Sequence, residues 1–441
     1  MSSNRLLQAL TSLNPAQIDE IFGNERLISP DPGASLAAVK RVLILAEAFY
    51  PKVDGVSKSA YLTLRYLQQT GREVMVLAPD MSPSAVGPSR VVPLRSVGLP
   101  FAPETRVALP PSLSMGGYIE DFQPDLIHMF SPAVMSVSGM QAGRRRNIPV
   151  IANYQTDLPA YTQHYGFGFL TSGMRYWLRY IHNNCHLTLV PSQFTMSQLR
   201  EQGYHRMRIW GRGVNGERFN PRNRSAQWRA RLLNGRDRDS VLCIYVGRLA
   251  TEKRIDLLLD IARTPGVALT IIGDGAARDE LETLFAGTGT CFTGYLFGRD
   301  LAQAYASADV FTFTGPSETF GQVVQEAMAS GLPAVIIDQG GITDLVTHNV
   351  NGFICEDDPQ AFAEAVITLR DNPVLRQDMS VEARRVADQR PWEAIMAQLE
   401  AYYQEAVDLN ARYSRAYHIP ETLRRPLPSL LNWADTTRYP S

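Results

Sequence analysis

Cysteine is scarce in this chain: four in 441 residues, Cys185, Cys243, Cys291 and Cys355, all far apart. None forms a CxxC pair, and none stands at metal-ligand spacing from a histidine. That argues against a disulfide scaffold and against a zinc module. A reducing cytoplasm is the expected setting. Cys243 and Cys291 fall in apolar runs and are expected as core thiols. Net charge is almost absent, with 43 Lys and Arg against 44 Asp and Glu. Nothing in the global charge points to a nucleic-acid partner. No stretch reaches the ~18 apolar residues of a membrane-crossing helix. The opening MSSNRLLQALTSLNP lacks the continuous apolar centre of a secretory leader. Any membrane contact is therefore expected to be peripheral, at the inner face of the membrane. Short repeats and low-complexity tracts are missing too.

What is present is 45% apolar residues, enough for full cores in two or three domains. From Arg41 onward, short apolar runs alternate with helical stretches. Val42–Ala46, Val74–Ala78, Asp125–Phe130, Val150–Asn153 and Leu187–Val190 form one set. Val241–Val246, Ala268–Ile272, Cys291–Thr293, Val310–Phe313, Ala334–Ile337 and Phe353–Cys355 form a second. Continuous apolar strands between helices predict parallel sheets covered on both faces. The divisions expected are an appendage and linker at 1–38, an α/β domain at 39–208, another at 209–390, a helix at 391–415 and a Pro-rich tail at 416–441.

Two segments carry the chemistry. In TGPSETFGQVVQEAMASG, an apolar run leads through a Gly-containing loop into a helix. Free N–H groups and the helix dipole make such a junction an anion site. Glu318 and Glu326 lie on either side of the loop Thr319-Phe320-Gly321, separated by seven residues. A carboxylate beside a phosphate accepts hydrogen bonds from hydroxyls, since it repels the phosphate itself. Eight helical steps span about 12 Å, roughly a nucleoside diphosphate joined to a sugar. Glu326 is placed for the ribose and Glu318 for the far side of the phosphates. Upstream, VGRLATEKRIDLLL puts Arg248 and Lys253 in the loop after strand Val241–Val246. Two cations there suit a departing diphosphate.

These segments resemble retaining glycosyltransferases of family 4. The Glu-x7-Glu pattern inside ETFGQVVQEAMASGLPAV matches that family, as does the G-R-L-x-x-E-K run Gly247, Arg248, Leu249, Glu252, Lys253. The resemblance covers roughly residues 40–410. It implies the GT-B fold: two Rossmann-like domains facing a cleft, with a C-terminal helix crossing back onto the first domain. It implies a nucleotide-sugar donor held by Gly247, Arg248 and Lys253, by the amides of Thr319, Phe320 and Gly321, and by Glu326. Gly55 and Val56 face the diphosphate from the first domain, with Asp54 and Lys58 lining the cleft. Tyr295 stacks on the base or fills the core. His128 lies near the transferred sugar or hydrogen-bonds within the core. Relatives often carry a second histidine where this chain has Phe130, and a Tyr-His-Thr where it has Tyr154-Gln155-Thr156. Both departures argue against histidine acid–base chemistry. Glu318, Arg248, Lys253 and His128 are the catalytic candidates. No metal or other cofactor is expected, because cations and loop amides take the ion's place.

Bacterial lipid glycosyltransferases resemble the chain most. The sulfoquinovosyl diacylglycerol synthases do so through GVNGERFNPR and DLAQAYASADVF, and the glycolipid mannosyltransferases through NYQTDLPAY. They imply hexose transfer from a UDP- or GDP-sugar to a lipid. The aromatic stretch from Tyr165 to Ile181 fits a lipid acceptor or a membrane surface, with Phe167, Phe169, Arg175, Trp177 and Arg179 as contacts. A packed helix is the competing explanation. Residues 1–200 carry 17 Lys and Arg against 13 Asp and Glu, a mildly basic balance suited to an anionic surface. A soluble sugar acceptor, or a GT-B epimerase, is the alternative.

Overall fold

The computed structural model describes residues 25–28, 39–49, 55–80, 82–99, 102–108, 115–130, 133–155 and 171–416. Two parallel sheets flanked by helices dominate. Most of the strands are unbroken apolar runs, such as Arg41–Ala46 (β1) and Val241–Val246 (β11), because helices cover both faces.

The first sheet also contains Glu73–Pro79 (β2), Ala85–Val86 (β3) and Ser89–Leu94 (β4). A side hairpin of Ser96–Leu99 (β5) and Ala102–Ala108 (β6) follows. Leu126–Phe130 (β7), Val150–Asn153 (β8), Leu187–Val190 (β9) and Met207–Ile209 (β10) complete it. The spatial order is β10-β9-β8-β7-β1-β2-β4-β3. Only the two-residue β3 is antiparallel. The second sheet takes β11, Val267–Ile272 (β12), Cys291–Gly294 (β13), Val310–Phe313 (β14), Ala334–Ile337 (β15) and Gly352–Cys355 (β16). Its order is β13-β12-β11-β14-β15-β16, all parallel.

In each sheet the chain order reverses beside the first strand, between β1 and β7 and between β11 and β14. Loops at the strand C-termini part there and leave a crevice, the standard ligand position in open α/β sheets. The helix Gly55–Gln69 (α1) starts at the first crevice and Gln322–Ala329 (α10) near the second. Between them come Met115–Phe122 (α2), Met135–Arg145 (α3), Thr171–Asn183 (α4), Gln193–Glu201 (α5), Ala226–Leu233 (α6), Leu259–Arg263 (α7), Arg278–Leu284 (α8) and Gly298–Ser307 (α9). Pro359–Asp371 (α11) and Pro373–Asp388 (α12) precede a long last helix, Trp392–Ala416 (α13).

The last helix completes the first sheet's core. Trp392, Ile395, Met396, Leu399, Tyr403 and Ala406 recur at helical spacing and join one apolar cluster with Ile44, Val76 and Phe130. Polar contacts fix the docking: Trp210 Nε1 donates to the Ile395 carbonyl at 3.0 Å, and Arg72 meets Glu400 at 2.7 Å. All four cysteines are free thiols. Cys243 is buried, but Cys291 is only half-buried because β13 is an edge strand.

Candidate active site

The loop after β11 turns at Gly247, whose carbonyl would meet a Cβ on Gly273 at 1.9 Å. Gly273, at φ +141, therefore needs to be glycine. Arg248 leaves this loop partly exposed and pairs with Glu252. Lys253 ends the short turn Thr251–Lys253, and its ammonium is paired with Glu318. Its carbonyl accepts from Thr314 Oγ1 at 2.8 Å, and its Nζ lies 5.9 Å from the Phe313 ring centroid. The two sequence segments thus meet because β11 and β14 are neighbours. Burial pushes the Glu318 carboxyl up, but Lys253, Arg212 and Arg248 outweigh it and hold it below its ordinary range.

Arg212 escaped the sequence reading. It follows β10, among glycines and without a motif of its own. Its guanidinium fills the space where Gly55 would carry a side chain, 1.9 Å from where a Cβ would stand. The start of α1, Arg212 and Glu318 are thereby brought together across the crevice. Gly55→Ala should leave folding largely intact, because the obstructing group is the end of a flexible side chain. It should lower turnover tenfold or more by evicting Arg212. Unchanged kcat with an unchanged melting temperature would deny Arg212 a place in the site.

The opposite wall is the start of α10. Gly321 takes φ +85, and a Cβ there would lie 2.3 Å from Ile342 Cγ2. Glu326, one turn on, is buried. Burial raises its pKa, while Lys58, 3.8 Å away, pulls it back. Thr319 ties the halves together: its Oγ1 donates to the Gln155 carbonyl at 2.8 Å, and its own carbonyl accepts from Thr195 Oγ1 at 3.3 Å. Asp344 also crosses over and accepts from the Gln193 N–H at the start of α5.

The remaining candidates divide between the core and the surface. Of the two places expected for His128, the structure has the one within the core. His128 has 0% exposure, with Nδ1 2.9 Å from the Tyr403 hydroxyl and Nε2 3.0 Å from Asn153 Oδ1. Burial lowers its pKa to about 4, so it sits neutral beneath α13. The side chains of Val56 and Phe320 are core, leaving only their backbone to a ligand. Trp177 faces inward, its indole donating to the Ala133 carbonyl at 3.1 Å. Arg179 donates to the Gln202 carbonyl and lies over the Tyr176 ring. Arg175 and Tyr176 are exposed. Tyr295 is not core: it is exposed, stacks on Phe297, and its hydroxyl donates to the Asp274 carbonyl at 3.0 Å. Phe167 and Phe169 lie outside the described residues, as does Asp54. Among the described residues no three His, Cys, Asp or Glu gather as a metal site.

Residues 53–218 match the family described as Glycosyltransferase Family 4, and residues 227–386 match Glycosyl transferases group 1. A GDP-mannose-dependent alpha-mannosyltransferase from Mycobacterium tuberculosis is 38% identical over 373 residues, covering 82% of this chain and 96% of the relative. The chain belongs to the family 4 glycosyltransferases. This transferase also matches sulfoquinovosyl transferase SQD2 from Arabidopsis thaliana, at 32% identity over 96% of this chain and 82% of that one. Sucrose-phosphate synthase from Thermosynechococcus elongatus shares the fold, with a TM-score of 0.69 at 20% identity, covering 83% of this chain and 98% of that one. The fold is GT-B: two Rossmann-like domains facing a cleft.

Proposed function

We propose that the transferase moves a hexose from a UDP- or GDP-sugar to a lipid acceptor, with retention at the anomeric carbon. The convergence of Arg212, Arg248 and Lys253 on one crevice, with Glu318 among them, carries this reading. Three cations against two carboxylates, Glu318 and Glu252, still leave a positive surplus, suited to a diphosphate that gains charge as the sugar departs. Glu318, held ionised by those cations, is aimed at sugar hydroxyls, and Glu326 accepts from the ribose. The acceptor oxygen attacks the anomeric carbon while the bond to phosphate breaks. The leaving phosphate oxygen takes the acceptor's proton on the same face, so no protein base is required. The names of the relatives favour GDP-mannose as a first donor to try.

The lipid acceptor is supported by the exposed outer side of α4, where Tyr176 is 65% exposed beside Arg175. No helix among the described residues is long and apolar enough to cross a membrane. Contact with a lipid would then be peripheral.

A panel of UDP- and GDP-sugars, incubated with total lipid extract and read by mass, tests the proposal. One donor should yield a hexosylated lipid, and the yield should survive EDTA, since the crevice cations do the work of an ion. Transfer only to a soluble sugar would replace the acceptor. Loss with EDTA, restored by Mg²⁺, would reveal a metal requirement.

A further inference from the structure

Residues 25–28 lie outside both matched family regions yet reach the cleft. Leu27 is buried in the core of the first sheet, and Arg26 lies 3.8 Å from Glu393 on α13. These two anchors hold Glu25 so that only 1% of its side chain is exposed. Among the described residues Glu25 Oε1 has no hydrogen-bond donor, and it sits 3.8 Å from Lys58 Nζ. The same Nζ is 3.8 Å from Glu326 Oε1. One ammonium on α1 therefore lies between two buried carboxylates, one from the segment before the first sheet and one from α10 of the second domain.

We infer that Lys58 is a positioning residue for the donor nucleotide, divided between Glu25 and Glu326, and that this division sets the charge with which Glu326 meets the ribose. The inference rests on the reading of Glu326 as the ribose acceptor. An ionised carboxylate accepts from both hydroxyls of a ribose; a protonated one has given up part of that capacity. The groups facing Glu326 act in opposite senses. Lys58 and Arg218 favour the ionised form, and so does the Gln322 side-chain hydrogen bond. Burial and Glu25 favour the protonated form. The Tyr305 hydroxyl, from α9, also faces the carboxyl. Glu25 thus competes for the cation that Glu326 needs. When a ribose supplies hydrogen bonds to Glu326, Lys58 has a second carboxylate waiting, so its charge is never left unpaired in the cleft.

The two flanking charges can be removed separately, and the consequences differ in sign. GDP and UDP binding by the full chain would be measured calorimetrically from pH 5 to 9, with circular dichroism to confirm folding. In the parent, affinity should fall as pH drops through the Glu326 titration. Lys58→Met should move that midpoint up by about one unit or more, the scale for losing an opposite charge at this range. Affinity near the parent's midpoint then falls several-fold to tenfold. Glu25→Gln should move the midpoint down. Lys58→Arg, which keeps the charge, should restore the parent profile even if Lys58→Met folds poorly. Glu326→Gln should remove the shift altogether. Titration of the nucleotide's own phosphate is common to all chains and cancels in the comparison. Equal midpoints in parent, Lys58→Met and Glu25→Gln would overturn the inference, as would shifts of the same sign. Those outcomes leave hexosyl transfer standing. A parent that binds neither nucleotide at any pH would overturn both.

Discussion

Lys253→Ala is expected to lower kcat by about 10²-fold or more, the scale for losing one donor at a developing transition-state charge. The residue does two things at once. Its ammonium adds to the positive crevice, and it neutralises Glu318. Without it, burial acts on Glu318 with only Arg212 and Arg248 opposing, so the carboxyl titrates higher. A carboxyl aimed at sugar hydroxyls would then be partly protonated, and orientation would suffer along with charge. Leaving that group short of a partner should also cost about 1–3 kcal/mol of stability. Arg248→Ala offers the contrast. Arg248 is more exposed and pairs with Glu252 in its own loop. Its removal should slow transfer by a similar factor with little change in melting temperature. Steady-state kinetics with thermal melts on both variants separate the two effects. Near-normal kcat in either one would take that residue out of the site.

Gly341→Ala should be as damaging, through the backbone. A methyl at this position would lie 2.0 Å from the Thr319 carbonyl oxygen and 2.6 Å from Ser192 Oγ. The Gly341 N–H also donates to the Glu318 carbonyl at 2.6 Å. The Thr319 carbonyl cannot swing aside as a long side chain can. The methyl should push the Glu318–Thr319 segment toward the crevice and loosen the Thr195 and Gln155 hydrogen bonds to Thr319. A displacement of about 1 Å in a positioned group costs on the order of 10²-fold in rate, and the overpacking about 1–3 kcal/mol. A variant with parent-like kcat and parent-like melting would show that this close approach is relaxed in solution.

What could be read in the sequence followed from local patterns. β8, β9, β11, β14 and β15 fall on the residues expected, because a strand covered on both faces is an unbroken apolar run with polar edges. β4 escaped notice because Pro93 interrupts its pattern, and a proline argues against a strand interior. β3, with two residues, has no pattern to show. Arg248, Lys253 and Glu318 were legible because each sits at a strand-to-helix junction within a recognisable motif. Arg212 and Asp344 were not, since what places them is the approach of one domain to the other. His128 shows the opposite failure. A histidine within a strand looks functional until Tyr403, 275 residues later, covers it. Glu25 lies in a segment whose composition reads as an appendage, and only the fold brings it to Lys58.

The docking of α13 on the first sheet has a consequence for biosynthesis. β1 and its neighbours leave the ribosome first, yet the side chains that seal one face of their core, from Trp392 to Ala406, come near the end of the chain. At ~5–20 residues per second, the interval between β10 and α13 is on the order of ten seconds or more. Through that interval Ile44, Val76 and Phe130 lack their cover, whereas the second sheet's core is complete once Ala387 has been made, before Trp392 appears. The half made second can therefore reach its native packing before the half made first. A nascent chain arrested before Trp392 should bind chaperones through the apolar face that α13 would have covered.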